Sequence, residues 1–395
     1  MRASDPETVT VGVVGAGAMG SGIAQVAAVA GHAVVLQDVD EAAIARARTG
    51  IERALAREVE KGRLTPQASE AAGARIRYFA GGDLAPFAPC SLVIEAIVER
   101  LGPKRESFAA LEQVVAPDAT LATNTSALSI TAIAGACRRP GRVVGLHFFN
   151  PAPLMPLVEV VRGQATPAPL IDAACALVRR WGKTTVVAAD TPGFIVNRIA
   201  RPFYGEALRI LDEGIADCAT IDWAMRTFGG FRMGPFELMD LIGNDVNFAV
   251  TTAVYEGFFF DPRYKPSLTQ RRMVDANLLG RKTGRGYYDY HNGAVRPPPK
   301  EDEGLGRAIL HRILAMLINE AVDAVFWRVA TPVDVDVAMM KGVNYPRGLI
   351  AWAEELGYGV TLARLEALRA EYGEDRYRPS PLLRRLAGSG GTLRA

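Results

Sequence analysis

Cysteine, histidine and net charge are all in short supply in this chain. Its four cysteines (Cys90, Cys137, Cys175 and Cys218) are widely scattered, with no C-x-x-C pair and no zinc-ligand spacing. That pattern suits free thiols in a reducing cytosol better than a disulfide framework, and it gives no metal site. A formal net charge of +2 over 395 residues offers no broad surface for nucleic acid. A local basic patch for a phosphorylated small molecule remains compatible with it. Long apolar runs are also missing. The longest, Val11 to Leu36, is interrupted by glycines and by Ser21, Gln25 and His32, which makes it a poor membrane span. Met1 to Thr10 contains no apolar signal core. These absences predict a cytoplasmic protein with neither nucleic acid nor membrane as partner.

What is present is a change of pattern along the chain. Short β-branched or apolar runs at Val9–Val14, Ala33–Leu36, Leu92–Ile97, Thr120–Thr123, Val143–Phe148, Val158–Val161 and Thr185–Ala188 alternate with helical segments such as Met19–Ala30 and Glu41–Gly62. Alternation of this kind predicts a largely parallel sheet covered by helices on both faces. After Asp190 a turn-rich T-P-G-F leads into sequence that reads almost wholly as helix, with clear phasing from Phe194 to Leu211.

The first strand runs into V-G-V-V-G-A-G-A-M-G, which places Gly15, Gly17 and Gly20 between a strand and a helix, with Ala18 and Met19 opening that helix. Gly15 permits a tight turn, Gly17 lets a pyrophosphate approach the backbone, and Gly20 allows close helix–strand packing. The free N–H groups of the helix start then face the phosphates. Asp38 closes the second strand, where a carboxylate can take both ribose hydroxyls. No arginine directly follows it to meet a 2′-phosphate, so NAD is favoured over NADP. The fold class is therefore an α/β Rossmann-type doubly wound domain, followed by all-α sequence.

Of the four histidines, His32 reads as a core residue before a strand, and His291 and His311 have no evident partners. His147 differs. It closes a strand of the nucleotide domain, at the end where ligands bind in such sheets. Glu159 lies twelve residues on, past a return segment carrying Pro151, Pro153 and Pro156, so the two side chains can meet across neighbouring strands. A carboxylate bonded to an imidazole fixes its tautomer, and the pair can act as a general base.

Several strings now align with one family. N-T-S at Asn124–Ser126, H-F-F-N-P at His147–Pro151, D-T-P-G-F-I-V-N-R at Asp190–Arg198, E-A-I-V-E at Glu95–Glu99, M-G-P-F-E-L at Met233–Leu238 and K-T-G-R-G-Y-Y at Lys282–Tyr288 resemble the L-3-hydroxyacyl-CoA dehydrogenases. The resemblance covers roughly residues 9–290. It implies NAD-dependent oxidation of an L-3-hydroxyacyl-CoA to the 3-oxoacyl-CoA, with 3-hydroxybutyryl-CoA as the default substrate and 3-hydroxyadipyl-CoA next. His147 would be the acid/base and Glu159 its partner. Ser126 and Asn197 would hold the C3 oxygen, and Asn150 would position the histidine or the acyl-CoA. Glu99 and Lys104 would line the nicotinamide side, with Asn124 also at the cofactor. Lys61 and Arg63, in a basic stretch with Arg53 and Arg57, would meet the CoA phosphates. Two other readings are a dehydrogenase of a free 3-hydroxy acid and a non-catalytic NAD-binding structural protein.

The helical half also repeats. An offset of 114 pairs Arg198 with Arg312, Glu206 with Glu320, Asp222 with Asp336, Met225 with Met339, Gly234 with Gly348 and Gly243 with Gly357, without a gap. Domains are expected at 1–190 (NAD-binding), 191–295 (first helical) and 303–395 (second, degenerate helical repeat), with a Pro-rich linker around Pro297–Pro299. The second copy has no nucleotide domain of its own, and Asn344, Arg347 and Trp352 stand where the first has Gly230, Met233 and Leu238. It is read as structural, or as shaping the acyl pocket. It would take the place of a partner subunit in an intramolecular pseudo-dimer, the alternative being a homodimer.

Overall fold

A computed structural model of the chain describes residues 9–393. Most of Met1–Thr10, read above for a signal core, lies outside that span, as do the last two residues of the expected second repeat. Backbone contacts divide the chain between Thr191 and Pro192 into two units.

The first unit alternates strand and helix: β1 (Val11–Val14), α1 (Ala18–Val29), β2 (Val34–Asp38), α2 (Glu41–Glu60), α3 (Pro66–Ala74), β3 (Ile76–Ala80), β4 (Leu92–Glu95), α4 (Leu101–Val114), β5 (Thr120–Thr123), α5 (Ile130–Ala134), β6 (Val143–Phe148), β7 (Leu157–Arg162), α6 (Ala168–Arg180) and β8 (Thr184–Ala189). The eight strands form one sheet in the order β3-β2-β1-β4-β5-β6-β7-β8. All neighbours are parallel except β6 and β7. Strand order reverses between β1 and β4, the switch point at which such sheets bind nucleotides. Val11, Val13, Leu36, Ile94, Val144 and Val160 are buried in a core shared with Ile23 and Ala27 of α1. Each large side chain buried there contributes about 1.5–3 kcal/mol. The strand β3 escapes a periodicity reading. It lies at the sheet edge and its sequence, I-R-Y-F-A, buries only Ile76 fully.

The second unit is helical. Its first copy comprises α7 (Val196–Ile199), α8 (Arg201–Asp212), α9 (Cys218–Thr227), α10 (Pro235–Ile242), α11 (Asn244–Gly257) and α12 (Leu268–Asp275). The second comprises α13 (Glu303–Phe326), α14 (Pro332–Gly342), α15 (Leu349–Leu356), α16 (Tyr358–Tyr372) and α17 (Pro381–Ser389). Helix α8 ends at Asp212 and α13 at Phe326, and α10 and α15 span equivalent residues, so the offset of 114 persists in the fold. The copies interlock: α13 packs along α8 and α9. Thus the segments expected as separate domains, 191–295 and 303–395, lie within one unit. The continuous helix expected over Phe194–Leu211 is interrupted at Ala200, because Pro202 lacks the N–H that would continue the ladder. Among the described residues no helix is long and apolar enough to cross a membrane.

Candidate active site

The glycine loop follows β1 at the switch point. Gly15 has φ +98°, a left-handed conformation that a side chain would strain. A methyl group on Gly20 would drive into the carbonyl oxygen of Gly15, so this position must stay bare for α1 to sit against the turn. Gly17 caps α1 without a side-chain hydrogen bond and faces open space, and the first turn of α1 has no acidic residue. The result is an uncapped helix start with room in front of it, which suits a pyrophosphate. Ala18 is exposed there and Met19 half-buried. Asp38 stands at the end of β2, next to β1. Its Oδ2 accepts from the amide of Ala16 at 2.7 Å and its Oδ1 from Asp40 at 3.0 Å. The loop and its carboxylate are therefore locked together, and each oxygen retains a lone pair for a ribose hydroxyl.

Beyond β4 lies a network only partly visible in the sequence. Lys104 is 1% exposed. Its Nζ lies 2.6 Å from Oε1 of the fully buried Glu95 and 3.2 Å from Oε2 of Glu99. Glu95 also accepts from the hydroxyl of Thr123 at 2.7 Å and the amide of Ile97 at 2.7 Å. Glu99 Oε1 accepts from the Thr125 hydroxyl and from the amides of Ser126 (2.8 Å) and Ala127 (3.2 Å). One ammonium thus joins two carboxylates, and those carboxylates hold the loop that carries Ser126. Glu95, Thr123 and Thr125 were not singled out in the sequence, although E-A-I-V-E and T-N-T frame them.

His147 and Glu159 face each other directly in the antiparallel β6–β7 pair. Nδ1 of His147 lies 2.6 Å from Oε2 of Glu159, and both residues are buried. With Nδ1 engaged by the carboxylate, proton exchange with a substrate falls to Nε2. The ring of Phe149 packs against the imidazole, 4.5 Å between centroids. Asn124, expected at the cofactor, directs its amide oxygen to the backbone N–H of Phe148 at 2.9 Å, which ties β5 to β6 beside His147. Asp190 anchors the next segment by accepting from Ser129 Oγ and from the amides of Ile130 and Thr131. Ser129 is the N-cap of α5.

The remaining sequence-derived positions are more dispersed. Asn150 is exposed and precedes a cis proline. Lys61 caps the end of α2, and Arg63 pairs loosely with Glu58 at 3.4 Å. Asn197 stands in α7 of the helical unit, where its carbonyl accepts from Arg201. His32 is a buried core residue against Trp181, its pKa lowered by burial. His291 does have a partner, the carboxylate of Asp289 at 2.7 Å, but both are exposed.

A dinucleotide loop at a sheet switch point, and a buried imidazole–carboxylate pair three strands farther along the same sheet, are the parts that an alcohol-oxidising dehydrogenase requires. Comparison with known proteins narrows the class. Residues 10–191 match the model of the NAD-binding domain of 3-hydroxyacyl-CoA dehydrogenase, and residues 193–290 and 309–394 match that of its C-terminal domain. The 3-hydroxyadipyl-CoA dehydrogenase of Escherichia coli (strain K12) is 40% identical, the match covering 96% of this chain and 97% of that protein. A probable 3-hydroxybutyryl-CoA dehydrogenase of Deinococcus radiodurans is 44% identical over 71% of this chain and 99% of its own length. The crystal structure of 3-hydroxybutyryl-CoA dehydrogenase from E. coli K12 superposes with a TM-score of 0.89 at 40% identity, covering 96% of this chain and 98% of that one. The chain belongs to the 3-hydroxyacyl-CoA dehydrogenase family, an NAD-dependent oxidoreductase with a Rossmann-type domain and a duplicated helical C-terminal domain.

Proposed function

We propose that the protein oxidises the 3-hydroxyl of a short-chain L-3-hydroxyacyl-CoA to the 3-oxoacyl-CoA, with His147 as the acid/base. The observation that carries this reading is the buried His147–Glu159 pair at 2.6 Å. NAD supplies the hydride acceptor. Nε2 of His147 takes the hydroxyl proton, and Glu159 stabilises the imidazolium that forms and keeps the ring in the productive tautomer. Ser126 and Asn197 hold the C3 oxygen, and Asn150 positions the histidine or the thioester. Gly15, Gly17, Ala18, Met19 and Gly20 receive the pyrophosphate and Asp38 the ribose. Asn124 supports the strand ends beside the cofactor. Glu99 and Lys104 line the nicotinamide side, where two carboxylates against one ammonium favour the oxidised, cationic ring. Lys61 and Arg63 take the CoA phosphates.

The default substrate is 3-hydroxybutyryl-CoA. A second reading, 3-hydroxyadipyl-CoA, is favoured by the E. coli relative of that name, which aligns along both helical copies. The second helical copy serves as an internal partner for the first, in a pseudo-dimer. Reciprocal ion pairs support that arrangement: Arg198 with Glu320 at 2.5 Å, and Arg312 with Glu206 at 3.0 Å, exchange roles at the 114-residue offset. The free and mostly buried cysteines suit a cytoplasmic location.

The test follows reduction of NAD by L-3-hydroxybutyryl-CoA in the wild type and in His147→Ala. Turnover that falls by about 10²–10⁴ in the variant, with the thioester still bound, is the expected result. A variant as active as the wild type would remove His147 from the reaction.

A further inference from the structure

Glu95 ends β4 at the sheet's switch point, in register with Val14 of β1 and Thr123 of β5. A fully buried carboxylate is costly unless donors surround it, and Glu95 has three. Each leads to a different part of the site. The Ile97 amide belongs to a segment that lies directly against the glycine loop. There the Ala96 amide donates to the carbonyl of Val14 at 2.8 Å, and a methyl group on Gly15 would come within 2.6 Å of the Ala96 carbonyl oxygen. The Thr123 hydroxyl in turn accepts from the amide of Thr125 at 3.2 Å, while the Asn124 amide donates to the Glu95 carbonyl at 2.8 Å.

The third donor, the Lys104 ammonium, reaches Glu99 at 3.2 Å, and Glu99 holds the amides of Ser126 and Ala127. The glycine loop on one side and the Ser126 loop on the other are thus both braced on one carboxylate. Its charge matters as well as its shape, since a charge-assisted hydrogen bond is about twice as strong as a neutral one. Glutamine in its place would leave Lys104 with one counter-ion instead of two, and the ammonium would then shift toward Glu99 and the loop it holds.

We propose that Glu95 is a positioning residue that fixes the cofactor loop and Ser126 relative to one another, and so aligns the nicotinamide with the C3 centre. The inference rests on the dehydrogenase reading above and adds to it a residue that acts only through Lys104, Glu99, Thr123 and the backbone of Ala96 and Ile97. Binding of either ligand alone needs one loop at a time, whereas hydride transfer needs both at the right separation. A misplacement of about 1 Å at a reacting centre can cost about 10²-fold in rate.

The test is Glu95→Gln, with NADH binding followed by fluorescence and turnover of L-3-hydroxybutyryl-CoA measured at saturating NAD. The expected result is a kcat lower by about 10- to 100-fold, with the dissociation constant of NADH changed by less than about threefold. In a Ser126→Ala background, where the C3 oxygen is no longer held, Glu95→Gln should lower kcat further by less than about threefold. Thr123→Val keeps the charge and removes one donor; it should show the same pattern at smaller size, and it carries the test if Glu95→Gln does not fold. An NADH affinity that falls as far as kcat, or a kcat loss as large in Ser126→Ala as in the wild type, makes Glu95 a general support of the sheet and overturns the proposal. An unchanged kcat, or a Ser126→Ala variant as active as the wild type, also overturns it and leaves the dehydrogenase reading standing. Failure to oxidise any 3-hydroxyacyl-CoA overturns both.

Discussion

The two helical copies share a frame and differ in what they present on it. In the first, the carboxylate of Asp222 accepts from the amides of Phe236 and Glu237 at the start of α10; in the second, Asp336 accepts from Ile350 and Ala351 at the start of α15, each residue displaced by 114. Backbone conformation is retained even where the residue is not. Gly230 and its counterpart Asn344 both have positive φ (+72° and +54°), as do Gly214 and Arg328 (+70° and +55°). Other positions differ in side chain: the first copy's half-buried Met233 corresponds to the exposed Arg347, and its half-buried Leu238 to the buried Trp352. Caps, turns and buried ion pairs are thus what the two copies share, while the side chains around them differ.

The largest test of that likeness lies in its two buried glutamates. Glu206 is held by Arg312, Arg376 and the Tyr377 hydroxyl; Glu320 is held by Arg198, Arg263 and the Tyr264 hydroxyl. The symmetry then breaks, because Asp323 reaches both Arg198 and Arg263, at 3.0 and 2.9 Å, while Arg376 pairs with Glu206 alone. Glu206→Ala should therefore cost about 3–5 kcal/mol, the usual penalty for stranding a buried charge, and Glu320→Ala distinctly less. Urea unfolding measures both. Equal losses would mean that Asp323 gives no shelter and that the copies are energetically as well as geometrically equivalent.

A smaller effect is expected at Gly234 and Gly348. A methyl group at Gly234 would meet both the backbone Cα and the side chain of Asp222, whereas one at Gly348 would meet only the side chain of Asp336 among its nearest neighbours. Alanine should destabilise both sites by about 1–3 kcal/mol through overpacking, and Gly234→Ala more, because backbone yields less readily than a side chain. If thermal unfolding ranks them the other way, the cap in the second copy is the more rigid of the two.

Much of this organisation was legible in the sequence because it is local or periodic. The glycine loop, Asp38 at its strand end and the gapless repeat need only spacing to be seen. The pairing of His147 with Glu159 was also within reach, since two strands joined by a short return segment leave few registers. What spacing cannot give is a partner far along the chain. Lys104 looks like any cation near a helix start, and only the β4–β5 alignment, which sets Glu95 beside Thr123, makes it a buried ion-pair centre. Likewise the repeat predicts equivalent residues but not their exchange of partners, in which Arg198 bonds the counterpart of Glu206 rather than Glu206 itself. Asn150, Lys61 and Arg63 stand at the surface; the proposed role of Asn150 rests on motif likeness, and those of Lys61 and Arg63 on a basic stretch of sequence.

The smallest predicted effect concerns the proton on Asp222. Burial pushes its carboxyl up to about 7, against an ordinary value of 3.8, although the Tyr288 hydroxyl (2.7 Å) and two backbone amides all donate to it. Glu237, one helical turn into α10, adds a like charge in the same direction, while Arg296 and Arg226 pair with that glutamate. Between about pH 4 and 7 the folded chain thus retains a proton that the unfolded chain releases. The stabilising contribution of this group is complete below about pH 4 and is lost as the pH rises through about 7. Asparagine cannot ionise, so Asp222→Asn should cost most in acid, on the order of 1 kcal/mol for the weakened cap, and progressively less toward pH 8. Urea midpoints of the wild type and the variant at the two ends of that range decide the matter. A cost that grew with pH would mean that the amide and hydroxyl donors outweigh burial and keep Asp222 ionised in the fold.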